Sequence, residues 1–537
     1  MSSAVTDQAA REDGPGSAVG AREPRLEWWR RRSLLWIAAA VLLVLWNYRH
    51  AASRPVSSDG AVNVLQAADL LRGNLLLTHW QLSDVSFYLS DLPLYAVLVL
   101  IFGSVPAVVH LGAAIVFTAV VLLSAALAQG RSTGREGALR ALLAGVIVFG
   151  TPIGSGDVNL YLSSPDHIST VALALLVLLV IARAAPSWRT WLVVLVLAVT
   201  AEISDALAIV VLALPVVLVC GLRAVRRLPG WRHDAWLSAC MVVSVGLTFV
   251  VEAGLRAAGG FTLYKVGADF NAASLLPSAL AKTWHEVLAL FGADFTGRSF
   301  GLTLAIPVLH LCGLALATAA ILVTARRFFG AVDRIDQILL VASAGNLAAF
   351  ALTLQAFHGT AREFLPVLAF GAVLASRQFA GPLLRLRLVR AVAVVLAGYL
   401  AVSAAVLFRA PSQVEPNAGQ NSAELAAWLQ DNHLTYGLGS YWNASEITVQ
   451  SRGAVRVRPV SVVAGRIAVM DTEFDRTWYD PATNRATYLV VKKNDHWMRK
   501  VAEAEYGAPV RTVGVARSWV LIWDRNLLPV DPSVRDR

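Results

Sequence analysis

Between residues 33 and 408 the sequence is dominated by long apolar runs separated by short polar segments, and many of those runs approach or exceed the ~20 residues that cross a bilayer. Only 15% of the 537 residues are charged and 56% are hydrophobic, whereas a soluble domain carries roughly a quarter charged residues. In lipid the backbone must satisfy its own hydrogen bonds, so such a chain folds as a polytopic α-helical membrane protein. The net charge of +10 does not point to nucleic acid, because the arginines sit mainly in short loops between apolar runs. The three cysteines, Cys220, Cys240 and Cys312, all lie in apolar segments and form neither a disulfide framework nor a CxxC metal site. Residues 1–32 read as a disordered cytoplasmic tail, rich in Gly, Ala, Arg and Glu over its first 27 positions. No small-residue cleavage site follows the first apolar run, which reads as a retained signal anchor.

Arginine placement sets the topology. Arg30, Arg31 and Arg32 precede the first span, 33–48, and put the N-terminus inside and Asp59 outside. The loop "GRSTGREGALR" (130–140) is also inside, so the tract 92–128, broken at Gly103 and Pro106, holds one crossing only. Residues 92–102 then form an interfacial or re-entrant helix, and 106–128 the second span. Spans at 139–153 and 168–182 follow. The tract 190–222 carries Glu202 and Asp205 near its middle, where a single helix would bury both in lipid at several kcal/mol. A hairpin of two short spans turning at "EISD" avoids that and keeps Arg223, Arg226 and Arg227 inside. Spans at 235–257, 301–325, 335–357, 361–376 and 391–408 complete about eleven crossings. The acidic and histidine-bearing turns then gather outside: Asp59, Asp84, Asp91, Asp157, Asp166, His167, Glu202, Asp205, Asp269, His285, Asp294, His358 and Glu363. A polar cavity opening outward is the expectation.

After Arg409 the charge and aromatic content rise to soluble levels, and 411–537 reads as a small α/β exported domain. "SAELAAWLQDN" has a helical pattern, while "EITVQS", "AVRVRPVSVV", "ATYLVVKK" and "SWVLIWD" alternate like strands. There is no internal repeat, P-loop, GxGxxG or GxSxG.

The external loop 49–105 holds the first candidates. In "SSDGAVNVLQAADLLRGN", Ala61, Val64, Leu65, Ala68 and Leu71 share one helical face, and Gly73 stops the helix. Such a helix lies in the interface, apolar side down. Asp59 either caps this helix or stands at the cavity mouth as a general base or metal ligand. "LSDVSFYLSDLPLYAV" brings Asp84, Tyr88 and Asp91 together, with capping as the plain alternative. "YLSSPDHIST" places Asp166 and His167 ahead of a span, as a helix cap or as possible ligands of a divalent metal. In "FHGTAREFLPVL" Arg362 lies outside against the positive-inside trend, and it can pair with Glu363, meet a lipid headgroup or grip a phosphate. Tyr441 and Trp442 in "GSYWNAS" suit sugar stacking, but a hydrophobic core is the plainer reading.

Taken in order, Asp59 with "AVNVLQAADLLRGN", then "LPLYAVLVLIFG", "SSPDH", "TAREFLPVLAFGAVLASR" and the tail segment "LTYGLGSYWNASEITVQSRGAVRV" resemble the GT-C class of membrane glycosyltransferases over about 33–460. That class includes the protein mannosyltransferases and the aminoarabinose transferases. The resemblance implies a bacterial plasma-membrane enzyme with a cytoplasmic N-terminus and an extracytoplasmic C-terminal domain. It implies a sugar donor on a polyprenyl phosphate in the outer leaflet and a glycan, lipid or protein acceptor of the cell envelope. Asp59 would be the base that deprotonates the acceptor, giving inversion. Asp166, with His167, would assist at the second loop, with or without a divalent metal, and Arg362 would hold the donor phosphate. Asp84, Tyr88, Asp91, Glu202, Asp205 and His358 are the remaining substrate-binding candidates. Relatives often carry two adjacent acids in the first loop; here Gly60 follows Asp59, which leaves base catalysis as its role. Two other classes compete: a flippase for lipid-linked glycans, which would need more charge in mid-span, and a silent GT-C relative that binds or scaffolds.

Overall fold

The computed structural model describes residues 23–152, 159–164, 166–264, 269–296, 302–330, 332–386, 388–409 and 418–529. The first part of the chain runs α1 (Glu23–Ala52), α2 (Ser58–Leu71), β1 (Trp80–Leu82), α3 (Leu92–Phe102), α4 (Pro106–Gln129), α5 (Gly134–Gly150), α6 (Asn159–Leu162), α7 (Ile168–Arg183) and α8 (Trp188–Ser204). A π-helical turn, Ile209–Ala213, leads into α9 (Leu214–Val225), followed by α10 (Trp231–Ala257), β2 (Thr262–Leu263) and α11 (Leu276–Leu290). Next come α12 (Leu302–Arg326), α13 (Arg334–Leu352), α14 (Gln355–His358), a 3₁₀ turn Ala361–Phe364, α15 (Leu365–Arg385) and α16 (Val389–Arg409).

Six helical stretches among the described residues are long and apolar enough to cross a bilayer alone: Ser33–Ala52, Pro106–Gln129, Trp231–Ala257, Leu304–Arg326, Arg334–Leu352 and Ala361–Arg385. The other expected spans coincide with α5, α7, α8, α9 with its π turn, and α16. The chain is a polytopic helical membrane protein. Its exposed surface says the same: Leu34, Leu35, Ile37, Leu42 and Leu45 on α1, and Val242, Phe249 and Val250 on α10, point outward as only a lipid-facing helix tolerates. At the centre stands α15, buried at every position from Leu365 to Ser376 and packed on α4, α5, α12 and α13. The two arms of the tract 190–222 are α8, which ends at Ser204, and the π turn with α9. The interfacial segment is α3; Gly103, at φ 76°, ends it before α4 begins at Pro106. Val97, Leu100, Ile101 and Phe102 remain exposed on it.

The C-terminal domain comprises α17 (Ala418–Asp431), β3 (Tyr436–Ser440), α18 (Tyr441–Gln450), β4 (Arg456–Val463), β5 (Arg466–Val469), β6 (Phe474–Asp475), β7 (Tyr488–Lys492), α19 (His496–Tyr506), β8 (Arg511–Val515) and β9 (Ser518–Ile522). Its six-stranded sheet has the order β5-β4-β3-β7-β9-β8, with β3 parallel to both β4 and β7. Leu425, Leu429 and Ile447 cover one face from α17 and α18, and Met498, Val501 and Ala502 cover the other from α19. One expectation is overturned here. "EITVQS", read as a strand, belongs to α18, because parallel strands β3 and β4 need a crossover between them. Every residue from Ala444 to Val449 is buried there, and the β-branched Ile447, Thr448 and Val449 are helical all the same.

A second, three-stranded sheet, β2-β1-β6, ties three distant segments together. β1 pairs parallel with β2 and antiparallel with β6, so the first loop, the loop after α10 and the C-terminal domain meet at one end of the bundle.

Candidate active site

The N-terminus of α2 decides what Asp59 can do. Ser57, extended at φ −81° and ψ 152°, is the cap: its Oγ accepts from Gly60 N at 3.1 Å and donates to Ser163 O at 2.8 Å. Asp59 is therefore not the cap. It sits in the first turn, where the helix dipole favours a carboxylate, with its side chain free to face the cavity. Gly60 behind it is a packing requirement: a Cβ there would lie 2.4 Å from Val109 Cγ1 and 3.1 Å from Ser163 O. No second acid fits at position 60.

Arg362 joins the two acids expected to matter most. Its Nη1 donates to Asp166 Oδ2 at 2.7 Å and approaches Asp59 Oδ2 at 3.5 Å, while Nη2 donates to Ser163 Oγ at 2.6 Å. Thr360 and Glu363 form a capping box under the turn that presents it. Glu363 is thus committed to its own backbone rather than to Arg362. On Asp59, burial and the nearby Asp166 charge push the carboxyl pKa up, opposed by hydrogen bonds from Tyr441 and Arg362.

Asp166 and His167, though adjacent, point to different partners. Asp166 takes a left-handed φ of 37°, which Asp tolerates better than most residues, and reaches Arg362. His167 Nδ1 lies 2.7 Å from Asp205 Oδ2, which also accepts from Thr170 Oγ1 at 2.5 Å. Burial disfavours the imidazolium, but Asp205 and Asp166 outweigh it and raise His167 to about 10. Asp205 is held below the usual range, since His167 and its hydrogen bonds overcome the burial that would raise it. His167 Nδ1 is engaged by Asp205 and Asp166 by Arg362, so both candidate ligands already have partners of their own. Among the described residues no three His, Cys, Asp or Glu side chains gather as a metal-holding group.

These groups line a cavity of about 1500 Å³ at the end of the bundle that carries the C-terminal domain. Asp84 lines it too, its pKa raised chiefly by burial, on a segment pinned to the end of α8 by the Val85–Asp205 bridge. Glu202 faces it from the last turn of α8 and accepts from Ser244 Oγ at 2.7 Å and Thr248 Oγ1 at 3.0 Å. Not every expected residue arrives. Tyr88 donates to Leu75 O and packs against Phe261, outside the cavity lining. Asp91 is fully buried at the start of α3, near Ser90 and Ser169, and burial lifts it to about 7. It occupies the N-cap position of α3 without a side-chain capping bond. The His358 side chain and Asp157 lie outside the described residues.

Sequence reasoning missed Glu252 and Arg256 on α10 and Asn346 on α13, which also line the cavity, and gave the C-terminal domain no definite part in it. Tyr441, Trp442, Met470, Thr472 and Glu473 complete the lining. Tyr441 does pack against a hydrophobic cluster, but its phenol also donates to Asp59 Oδ1 at 2.5 Å, while Trp442 is exposed. Glu473 accepts from Gln66 Nε2 at 2.9 Å and Ser83 N at 3.1 Å, and burial raises it to about 7. The Tyr-Trp pair in "GSYWNAS" was the one available signal.

No protein-family model matches the chain, and no curated protein matches it. Among solved structures it is similar to the crystal structure of ArnT from Cupriavidus metallidurans in the apo state, with a TM-score of 0.45 and 13% sequence identity over 93% of this chain and 98% of that one.

Proposed function

We propose that the protein is a GT-C-class membrane glycosyltransferase. It moves a sugar from a polyprenyl-phosphate donor to a hydroxyl acceptor on the outer face of a bacterial plasma membrane, with inversion. One observation carries the reading: Ser57 caps α2, and Asp59 is left to present its carboxylate to a large cavity beside Arg362. The acid motif, the interfacial helices and the outward arginine ahead of α15 are the sequence features that support it. The arginine-rich loops at the other end of the bundle support an outward-facing site, by the positive-inside rule.

In the proposed reaction Asp59 accepts the acceptor O–H proton as the oxygen attacks the anomeric carbon. The sugar–oxygen bond breaks, and its electron pair leaves with the polyprenyl phosphate. Burial of Asp59 helps, because a carboxylate with a raised pKa is a stronger base nearer neutral pH. Arg362 touches Asp59 only at 3.5 Å while Asp166 holds it at 2.7 Å. The guanidinium can therefore turn a donor group toward the leaving phosphate and keep its anchor, a charge-assisted contact in a partly desolvated site. His167 and Asp205 form an ion pair on the same wall, with His167 Nε2 3.9 Å from Asp166 Oδ1.

The test is transfer from labelled polyprenyl-phosphate hexose and pentose into membranes holding wild type or Asp59→Asn. Transfer with at least one donor, lost on Asp59→Asn, is the expected result. Donor movement across the bilayer without transfer would favour a flippase, and transfer indifferent to Asp59 would remove the base assignment.

A further inference from the structure

The acid at the centre of the proposed reaction is gripped from the far end of the chain. Tyr441 is the first residue of α18, directly after β3. Its backbone carbonyl accepts from Ser58 Oγ at 2.6 Å, and its phenol donates to Asp59 Oδ1 at 2.5 Å. Two neighbouring residues of α2 thus hold both ends of one residue of the C-terminal domain. Trp442 packs edge-on against the Tyr441 ring, with centroids 5.1 Å apart. The attachment around this contact is built rather than incidental. β1 pairs with β6, Trp80 meets Trp478 edge-on at 5.1 Å, and Glu473 accepts from both Gln66 and Ser83.

We propose that Tyr441 is a positioning residue for Asp59, so that the C-terminal domain completes the active site and selects Oδ2 as the oxygen that takes the acceptor proton. This rests on the reading of Asp59 as the base. The last torsion of an aspartate is broad and nearly two-fold, so a free carboxylate exchanges its oxygens readily. With Oδ1 held by the phenol, Oδ2 is the oxygen on the Arg362 side. Orientation of this kind is worth a large factor, because misplacing a catalytic group by an ångström costs on the order of a hundredfold. The groups that face Asp59 are Tyr441 and Glu473 from the C-terminal domain, Arg362 from the turn before α15, and Asp166 from the turn before α7. Tyr441 and Arg362 favour the carboxylate; Asp166 and Glu473 oppose it.

Tyr441→Phe keeps the ring and removes only the donor. In full-length protein, with whichever labelled polyprenyl-phosphate sugar the wild type uses, kcat is expected to fall roughly ten- to a hundredfold. KM for the donor stays within about twofold, because the phosphate contact is untouched. A kcat equal to wild type overturns the proposal. A second measurement needs no donor: carbodiimide labelling of the protonated Asp59 carboxyl, followed by mass spectrometry across pH. Loss of the phenol should move its midpoint up by about one pH unit, and an unmoved midpoint overturns the proposal. Should the wild type transfer no sugar at all, the glycosyltransferase reading fails, while the labelling midpoint still decides whether Tyr441 controls Asp59.

Discussion

Gly60→Ala turns a normally favourable change into a harmful one. In an exposed helix interior, replacing Gly by Ala stabilises by up to about 1 kcal/mol. In α2 the new methyl would stand 2.4 Å from Val109 Cγ1, 3.1 Å from Ser163 O and 3.2 Å from Ser57 Oγ. Carbon atoms pack at about 3.5–4.0 Å, so Val109 would have to retreat by about 1 Å. It has little room: Val109 is fully buried in α4, and a β-branched side chain in a helix has one strongly preferred rotamer. The oxygens cannot yield either, since one belongs to the cap of α2 and the other accepts from it. Overpacking of this kind costs about 1–3 kcal/mol, and three contacts at once place it near the upper end. The net expectation is a loss of about 2 kcal/mol after the helix preference is subtracted. Thermal unfolding in detergent should show a lower midpoint, and Asp59, displaced with its turn, should lose activity beyond what stability explains. Val109→Ala should cost less in the Gly60→Ala background than alone, with a coupling above about 0.5 kcal/mol. A midpoint at or above wild type, or strict additivity, would refute the steric account.

Three more expectations come from the charges. Removing the guanidinium with Arg362→Gln takes away a contact that lowers the Asp59 pKa, so the acid limb of the pH–activity profile should move to higher pH, with activity down on the order of a hundredfold. The His167–Asp205 pair stabilises most between the two carboxylate and imidazole extremes. His167, raised to about 10, gives stability fully present below its unfolded value near 6.5 and lost as pH climbs toward 10, while lowered Asp205 loses its share in acid. A thermal midpoint that declines from pH 7 to 10 in wild type but not in His167→Gln is the signature. Glu473 has the same sign in a lower window: raised from 4.5 to about 7, it favours the folded state when protonated, so wild type should lose stability as pH rises from about 4.5 to 7. Glu473→Gln keeps an acceptor for Ser83 N and should be the more stable of the two at pH 8.

Much of this arrangement is legible in the chain. The arginine loops and the cost of burying Glu202 and Asp205 locate the helical hairpin and the break before α4, because lipid imposes a simple ledger on charge. The same logic gathers Asp59, Asp166 and Arg362 at one end, and they do meet within hydrogen-bonding distance. What local sequence does not reveal is which residue wins a local competition. Ser57, Ser58 and Asp59 are all good caps, and the winner is Ser57, whose hydroxyl also reaches Ser163 across the bundle. Nor could the chain show that Arg362 would prefer Asp166 to its neighbour Glu363, since the capping box engages Glu363 first. The α18 segment misleads for a related reason: its β-branched residues describe a strand until the crossover between β3 and β4 is known.

The small sheet made of β1, β2 and β6 also has a consequence in time. Tyr441 and Asp59 are 382 residues apart, and the C-terminal domain emerges only after every membrane helix has been made. At translation rates of ~5–20 residues per second, Asp59 waits roughly 20–80 s for the phenol that orients it. During that interval the helices can insert and pack while the base remains unset. Insertion of the helices and the setting of Asp59 are thus separate events, and a chain that stalls or is cut before α18 would lack the Tyr441 contact. Should Asp59 act as the proposed base, unfinished copies would in this way lack the contact that sets it.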